Sequence, residues 1–142
     1  MRHVLLVEDD ANDAYLTKRF LSRWSVTIQV HHVDRIEDAE RFLFARDASS
    51  PEIALVLLDH QLPGGSGIEL IEAFRKNEAF RSVPVVVLTG NSDGVVVQRA
   101  RNAGANSCVL KPVDPEDYER TVSAIAEFWL GSNLIAPRAV VL

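Results

Sequence analysis

The chain is short of cysteine, of long apolar runs and of clustered positive charge. Cys108 is the single cysteine among 142 residues. One thiol cannot close an internal disulfide, so packing alone must hold the fold, which suits a reducing compartment. The longest apolar stretches are IALVLL (53–58) and VPVVVL (83–88, interrupted by Pro84). Both fall far below the roughly 20 residues of a membrane-spanning helix. The opening residues MRHVLLVEDD turn acidic at Glu8, too early for the apolar segment of a secretory leader. The cytoplasm is the expected location, with no membrane association. Lys and Arg number 15 against 20 Asp and Glu, a net charge of −5, and no basic run offsets it. A negative bulk field repels nucleic acid, so no nucleic-acid partner is expected. Repeats, low-complexity tracts and linkers are missing too, and a chain of this length makes one domain.

What is present is alternation. Short β-rich runs stand at VLLV (4–7), VTIQV (26–30), IALVLL (53–58), VPVVVL (83–88) and SCVL (107–110), with helical-period segments between them. This pattern predicts an α/β fold: a three-layer, doubly wound, five-stranded parallel sheet of order 2-1-3-4-5, flavodoxin-like. Near-continuous apolar strands are what a sheet covered on both faces requires. Helix starts are marked by Asp34 with Glu37, by Ser66 with Glu69, and by Asp114 before Pro115. The last helix places Tyr118, Val122, Ile125 and Trp129 on one face, with Gly131 as its stop. The domain therefore reads as residues 1–130, followed by an apolar tail over 131–142.

In such a sheet, ligands gather at the carboxyl ends of the strands. Strand 1 ends in Glu8, Asp9 and Asp10, strand 3 in Asp59, strand 4 in Thr89, and strand 5 in Lys111. Each alone is an ordinary cap, turn or surface residue. Together they bring carboxylates, a hydroxyl and an ammonium to one crevice. Crowded carboxylates repel, and a hard divalent cation such as Mg²⁺ relieves them through oxygen ligands. A lysine and a hydroxyl beside such an ion match the charge of phosphoryl transfer. Asp59 is the candidate nucleophile, isolated at the tip of the central strand. Asp10 reads as a cap or loop residue, and His60 as a flanking side chain.

VLLVEDDANDA (4–14), LVLLDHQLPGGSGIEL (55–70), VPVVVLTGN (83–91) and AGANSCVLKPVD (103–114) together resemble the receiver domain of two-component response regulators. The resemblance implies that Asp59 is the phospho-acceptor and that Thr89 is the switch hydroxyl. It implies that Lys111 pairs with the phosphoryl group and that Lys111–Pro112 is a cis peptide. Glu8, Asp9, Asp59 and the backbone carbonyl of Gln61 would hold Mg²⁺ or Mn²⁺. Gln61 and Asn91 occupy the positions that tune phosphoryl lifetime. The family usually has an aromatic residue where this chain has Cys108, which reads as a small, buried or half-buried filler.

EFWLGSN (127–133) and the apolar tail resemble the stand-alone regulators paired with phytochrome-type histidine kinases. The implied partners are a sensor histidine kinase of bacteriophytochrome type, a downstream protein, and a second copy meeting this one through Phe128, Leu134 and Ile135. The expected activity is self-phosphorylation and self-dephosphorylation at Asp59, without turnover of an external substrate. Two other readings compete. One is a passive, degenerate receiver, for which Cys108 is the sole argument. The other is a haloacid-dehalogenase-type phosphatase, which needs an acid two residues after its aspartate, where this chain has Gln61.

Overall fold

The computed structural model describes residues 1–25, 27–62, 65–90 and 94–131; the side chains of Gln61 and Ser66 fall outside that description. Asn91, Leu134 and Ile135 also lie outside the described residues. The elements run β1 (Arg2–Val7), α1 (Ala11–Trp24), β2 (Ile28–Val33), α2 (Ile36–Phe44), β3 (Ile53–Asp59), β4 (Gln61–Leu62), β5 (Gly65–Ser66), α3 (Gly67–Lys76), β6 (Val85–Thr89), α4 (Gly94–Ala103), β7 (Ser107–Leu110) and α5 (Pro115–Ala126). A 3₁₀ turn (Glu78–Phe80) precedes β6, and a π-helical turn (Glu127–Gly131) follows α5. Five parallel strands form the main sheet in the order β2-β1-β3-β6-β7, which is 2-1-3-4-5 when only its own strands are counted. β4 and β5 make a separate antiparallel ribbon in the loop after β3.

Strand alternation divides the apolar side chains between two cores. Leu5, Val7, Val56, Leu58, Val85 and Val87 face α2, α3 and α4. Val4, Leu6, Leu55, Leu57, Val86 and Leu88 face α1 and α5. A side-chain period of 2 sends successive residues to opposite layers, so both sets must be apolar. The uninterrupted runs at 4–7, 55–58 and 85–88 follow directly from that constraint.

The helices are cut to length by identifiable caps. Asp10 caps α1, accepting from the Asp13 backbone N–H at 2.9 Å. Asp114 caps α5, accepting from Glu116 and Asp117, with Pro115 in the first turn. The Asp34–Glu37 capping box does not form: α2 starts one residue later, with Arg35 at the N-cap and no side-chain cap bond. β2 runs on to Val33 and Asp34 stays in an exposed bend, which leaves the carboxylate one position short of the cap. Glu37 and Asp38 in the first turn still favour that end of the helix dipole.

Helix α5 ends at Ala126 rather than at Gly131, because the backbone widens into the π turn. The wider turn rotates the buried face onto Leu130, leaving Trp129 half-buried against the α1/α5 core and Phe128 exposed, edge-on to the Trp129 ring. The Lys111–Pro112 bond is trans, as every described peptide bond is. Trans is the lower-energy isomer of an X–Pro bond.

Arg75 fastens the amino-terminal edge of one layer. Its half-buried guanidinium donates to the carbonyls of Gly104, Phe80, Arg81 and Val83 and to Asn106 Oδ1. Five acceptors satisfy the planar donor fork and tie the end of α3 to the α4–β7 turn. Gly104 makes this possible with φ +117°, and a Cβ there would lie 2.6 Å from Arg75 Cγ. Gly104→Ala is expected to destabilise the fold by about 2 kcal/mol, combining a left-handed backbone with a collision. A urea unfolding curve gives the value; an unchanged midpoint contradicts this account of the turn.

Candidate functional site

Parallel pairing places the acidic residues side by side. Val7 is in register with both Val33 and Leu58, so the residues that follow β1 emerge beside Asp59. Glu8 is fixed through its backbone: its N–H donates to Val33 O at 3.0 Å, and its carbonyl accepts from His32 Nε2 at 2.8 Å. On the other side of β3, Asp59 pairs with Leu88, and Thr89 pairs with Leu110. The Lys111 N–H donates to Thr89 O at 2.7 Å, which brings the lysine back over the strand tips.

The Lys111 ammonium joins three carboxylates contributed by different elements. Nζ lies 2.7 Å from Glu8 Oε1, 3.1 Å from Asp13 Oδ2 and 3.9 Å from Asp59 Oδ2. The Glu8 side chain is only 1% exposed, and its second oxygen accepts from the Asp10 N–H at 3.2 Å. A carboxylate this buried stays charged only if its charge is matched and its lone pairs are used, and both conditions are met. Burial by itself would lower the Lys111 pKa. The hydrogen bond to Glu8, the charges of Asp59 and Glu8, and the hydrogen bond to Asp13 outweigh it and hold the ammonium above the ordinary lysine range.

An open cleft of about 490 Å³ lies over these groups, lined by Asp9, Asp10, Asp13, Asp59, His60, Thr89 and Gly90. One ligand oxygen from each of Glu8, Asp9 and Asp59 fits within 4.8 Å of the others, and these residues could hold a metal ion. An all-oxygen set of this size suits Mg²⁺ or Mn²⁺ rather than a soft metal. Thr89 is 3% exposed at the floor of the strand tips.

The chain reverses immediately after Asp59 and His60. The β4–β5 ribbon turns the chain at once, and Gly67 opens α3 against the strand it has just left. A Cβ on Gly67 would meet Asp59 O at 3.1 Å and Leu58 Cδ2 at 3.3 Å, so only glycine allows this approach without displacement.

The sequence-based candidates Glu8, Asp9, Asp59, Thr89 and Lys111 are thus brought together at one sheet edge. The backbone of Gln61 begins the ribbon immediately beyond it. Asp10 takes the capping role expected of it. Two contributors escaped the sequence reading. Asp13 binds Lys111 from the first turn of α1; its signal was its place one helical turn beyond the acidic strand end. His32 supports the Glu8 carbonyl from β2, and nothing in its local pattern announces that. Cys108 is half-buried against the α2/α3/α4 core, and burial pushes its thiol pKa up. Its filler role is consistent with that environment, which disfavours the reactive thiolate.

Comparison with known proteins agrees with the geometry. The family model for the response regulator receiver domain matches residues 4–123. The probable methanogenesis regulatory protein FilR2 of Methanothrix harundinacea is 34% identical over 131 residues, covering 92% of this chain and 84% of that protein. Among solved structures, the phosphorylated cyanobacterial phytochrome response regulator RcpA superposes with a TM-score of 0.89 at 25% identity, covering 95% of this chain and 98% of its own. The Mn²⁺-bound response regulator Rcp1 follows with a TM-score of 0.86 at 27% identity, covering 95% and 99%. With the receiver's sheet order, an acidic pocket at its strand tips and a family match over most of its length, this chain belongs to the response regulator receiver domain family.

Proposed function

We propose that this protein is a phosphorylation switch in which Asp59 accepts a phosphoryl group from the phosphohistidine of a sensor kinase. The observation that carries the reading is the convergence of Asp59, two further carboxylates and Lys111 within 4 Å contacts at the mouth of an open cleft. In the transfer, an Asp59 oxygen attacks phosphorus, the kinase's N–P bond breaks, and the imidazole leaves with the electron pair. Glu8, Asp9, Asp59 and the Gln61 carbonyl would hold the metal. Bound Mg²⁺ or Mn²⁺ supplies positive charge against the phosphoryl oxygens and the crowded carboxylates. Lys111 supplies a second positive charge, already largely desolvated and in contact with the acids. The Thr89 hydroxyl, on a residue that lines the same cleft, would hydrogen-bond a phosphoryl oxygen and so report loading. Gln61 and Asn91, at the positions that vary within the family, would set the lifetime.

The acyl phosphate then biases partner binding, dimerisation or both. The proposed kinase is a phytochrome-type sensor in the cytoplasm, supported by the likeness to RcpA. Phe128, exposed at the start of the π turn, would join Leu134 and Ile135 in a homodimer contact. Half-buried Cys108 offers no ring to swing inward, so the output would not use an aromatic rotor at that position.

Incubation with a histidine kinase and ATP is expected to label the wild-type protein only when Mg²⁺ is present. Asp59→Asn should abolish the label; label persisting at another residue in that variant would sink the assignment. Mg²⁺ at tenfold its Kd should add about 1.4 kcal/mol of stability by mass action. Asp9→Asn should remove most of that gain in thermal unfolding, and an equal gain in the variant would place the ion elsewhere.

A further inference from the structure

We propose that Asp13 is a positioning residue that competes with the phosphoryl group for Lys111, and so holds the resting state of the switch. This rests on the reading of Asp59 as the phospho-acceptor. In the resting arrangement, Lys111 Nζ is hydrogen-bonded to Glu8 at 2.7 Å and to Asp13 at 3.1 Å, whereas Asp59 is 3.9 Å away. Two of the ammonium's three donors are therefore committed to acids other than the acceptor. A phosphoryl group on Asp59 adds charge and oxygen acceptors at that distance, and the ammonium is drawn toward it.

The two resting partners are not equally able to let go. Glu8 is 1% exposed and its other oxygen is fixed by the Asp10 N–H, so losing the lysine would leave a buried charge unmatched. The Asp13 side chain is 29% exposed and stands on the first turn of α1, where water can replace the ammonium. The helix amino terminus also stabilises its charge without the lysine. Asp13 is thus the partner that yields. Its grip on Lys111 opposes loading, and removing that grip should favour the loaded form.

Beryllofluoride, a phosphoryl mimic, tests this at saturating Mg²⁺, with affinity read from amide chemical shifts. Binding to the wild-type protein and its loss in Asp59→Asn establish the acceptor site independently of Asp13. Asp13→Asn is expected to tighten beryllofluoride binding about fivefold, the scale of one charge-assisted contact near a surface. Asp10→Asn controls for charge alone: Asp10 lines the same cleft, has no hydrogen bond to Lys111, and asparagine still caps a helix. Its effect should stay under about twofold, and Asp13→Ala should reproduce the Asn result. The chain's lysines are Lys18, Lys76 and Lys111, so the Lys111 ¹⁵Nζ resonance can be followed directly and should shift in resting Asp13→Asn. Asp13→Asn binding no tighter than Asp10→Asn, or an unmoved Lys111 resonance, overturns the proposal while leaving the acceptor assignment standing.

Discussion

One ammonium makes the acidic edge of this sheet tolerable. Without Lys111, Glu8 would be a buried carboxylate with a single backbone donor, within 4.8 Å of oxygens of Asp9 and Asp59. The ammonium's location depends in turn on sheet register: Lys111 directly follows β7, whose pairing with β6 is continued by the short bond from Lys111 N–H to Thr89 O. The chemistry at the strand tips is therefore a property of the whole sheet. A register slip of one residue in β7 would turn the lysine away and leave the acids unmatched.

Much of this was legible in the residues because burial and chemistry leave different marks. The central strands read clearly, since a strand covered on both faces has no polar alternation to confuse it. Their polar terminators then stood out, and the rule for open α/β sheets brought them to one edge. β2 was harder: it was expected at 26–30 and lies at Ile28–Val33. Its second half contains two histidines, which do not look like strand interior. The structure explains them by neighbours distant in sequence: the His31 ring is within hydrogen-bond distance of His3, and His32 reaches the Glu8 carbonyl.

Other features were hidden for the same reason. The Asp34 cap failed by one residue because the end of β2 was misplaced. The π turn after α5 carries no local marker, so helical spacing puts Trp129 on the buried face where Leu130 stands. Asp13 is by position one more acid in a helix start, and only its distance to a lysine 98 residues away reveals its role. Composition and period report what an element needs from its own chain segment. They say little about a contact supplied by another segment.

The seam between α1 and α5 has a consequence of a different kind. It is closed by the buried pair of Thr17 Oγ1 and Tyr118 OH at 2.6 Å, by Phe20 edge-on to the Tyr118 ring, and by Trp24 Nε1 donating to Glu127 at 3.3 Å. The chain's two tryptophans, Trp24 and Trp129, both pack at the far end of this seam. Trp24 is about 20 Å along α1 from the cleft, at 1.5 Å of rise per residue. No indole lines the cleft itself. The protein's intrinsic fluorescence is thus an optical gauge of how the α1–α5 seam is seated, read from the opposite pole of the molecule to the ion and the phosphoryl group.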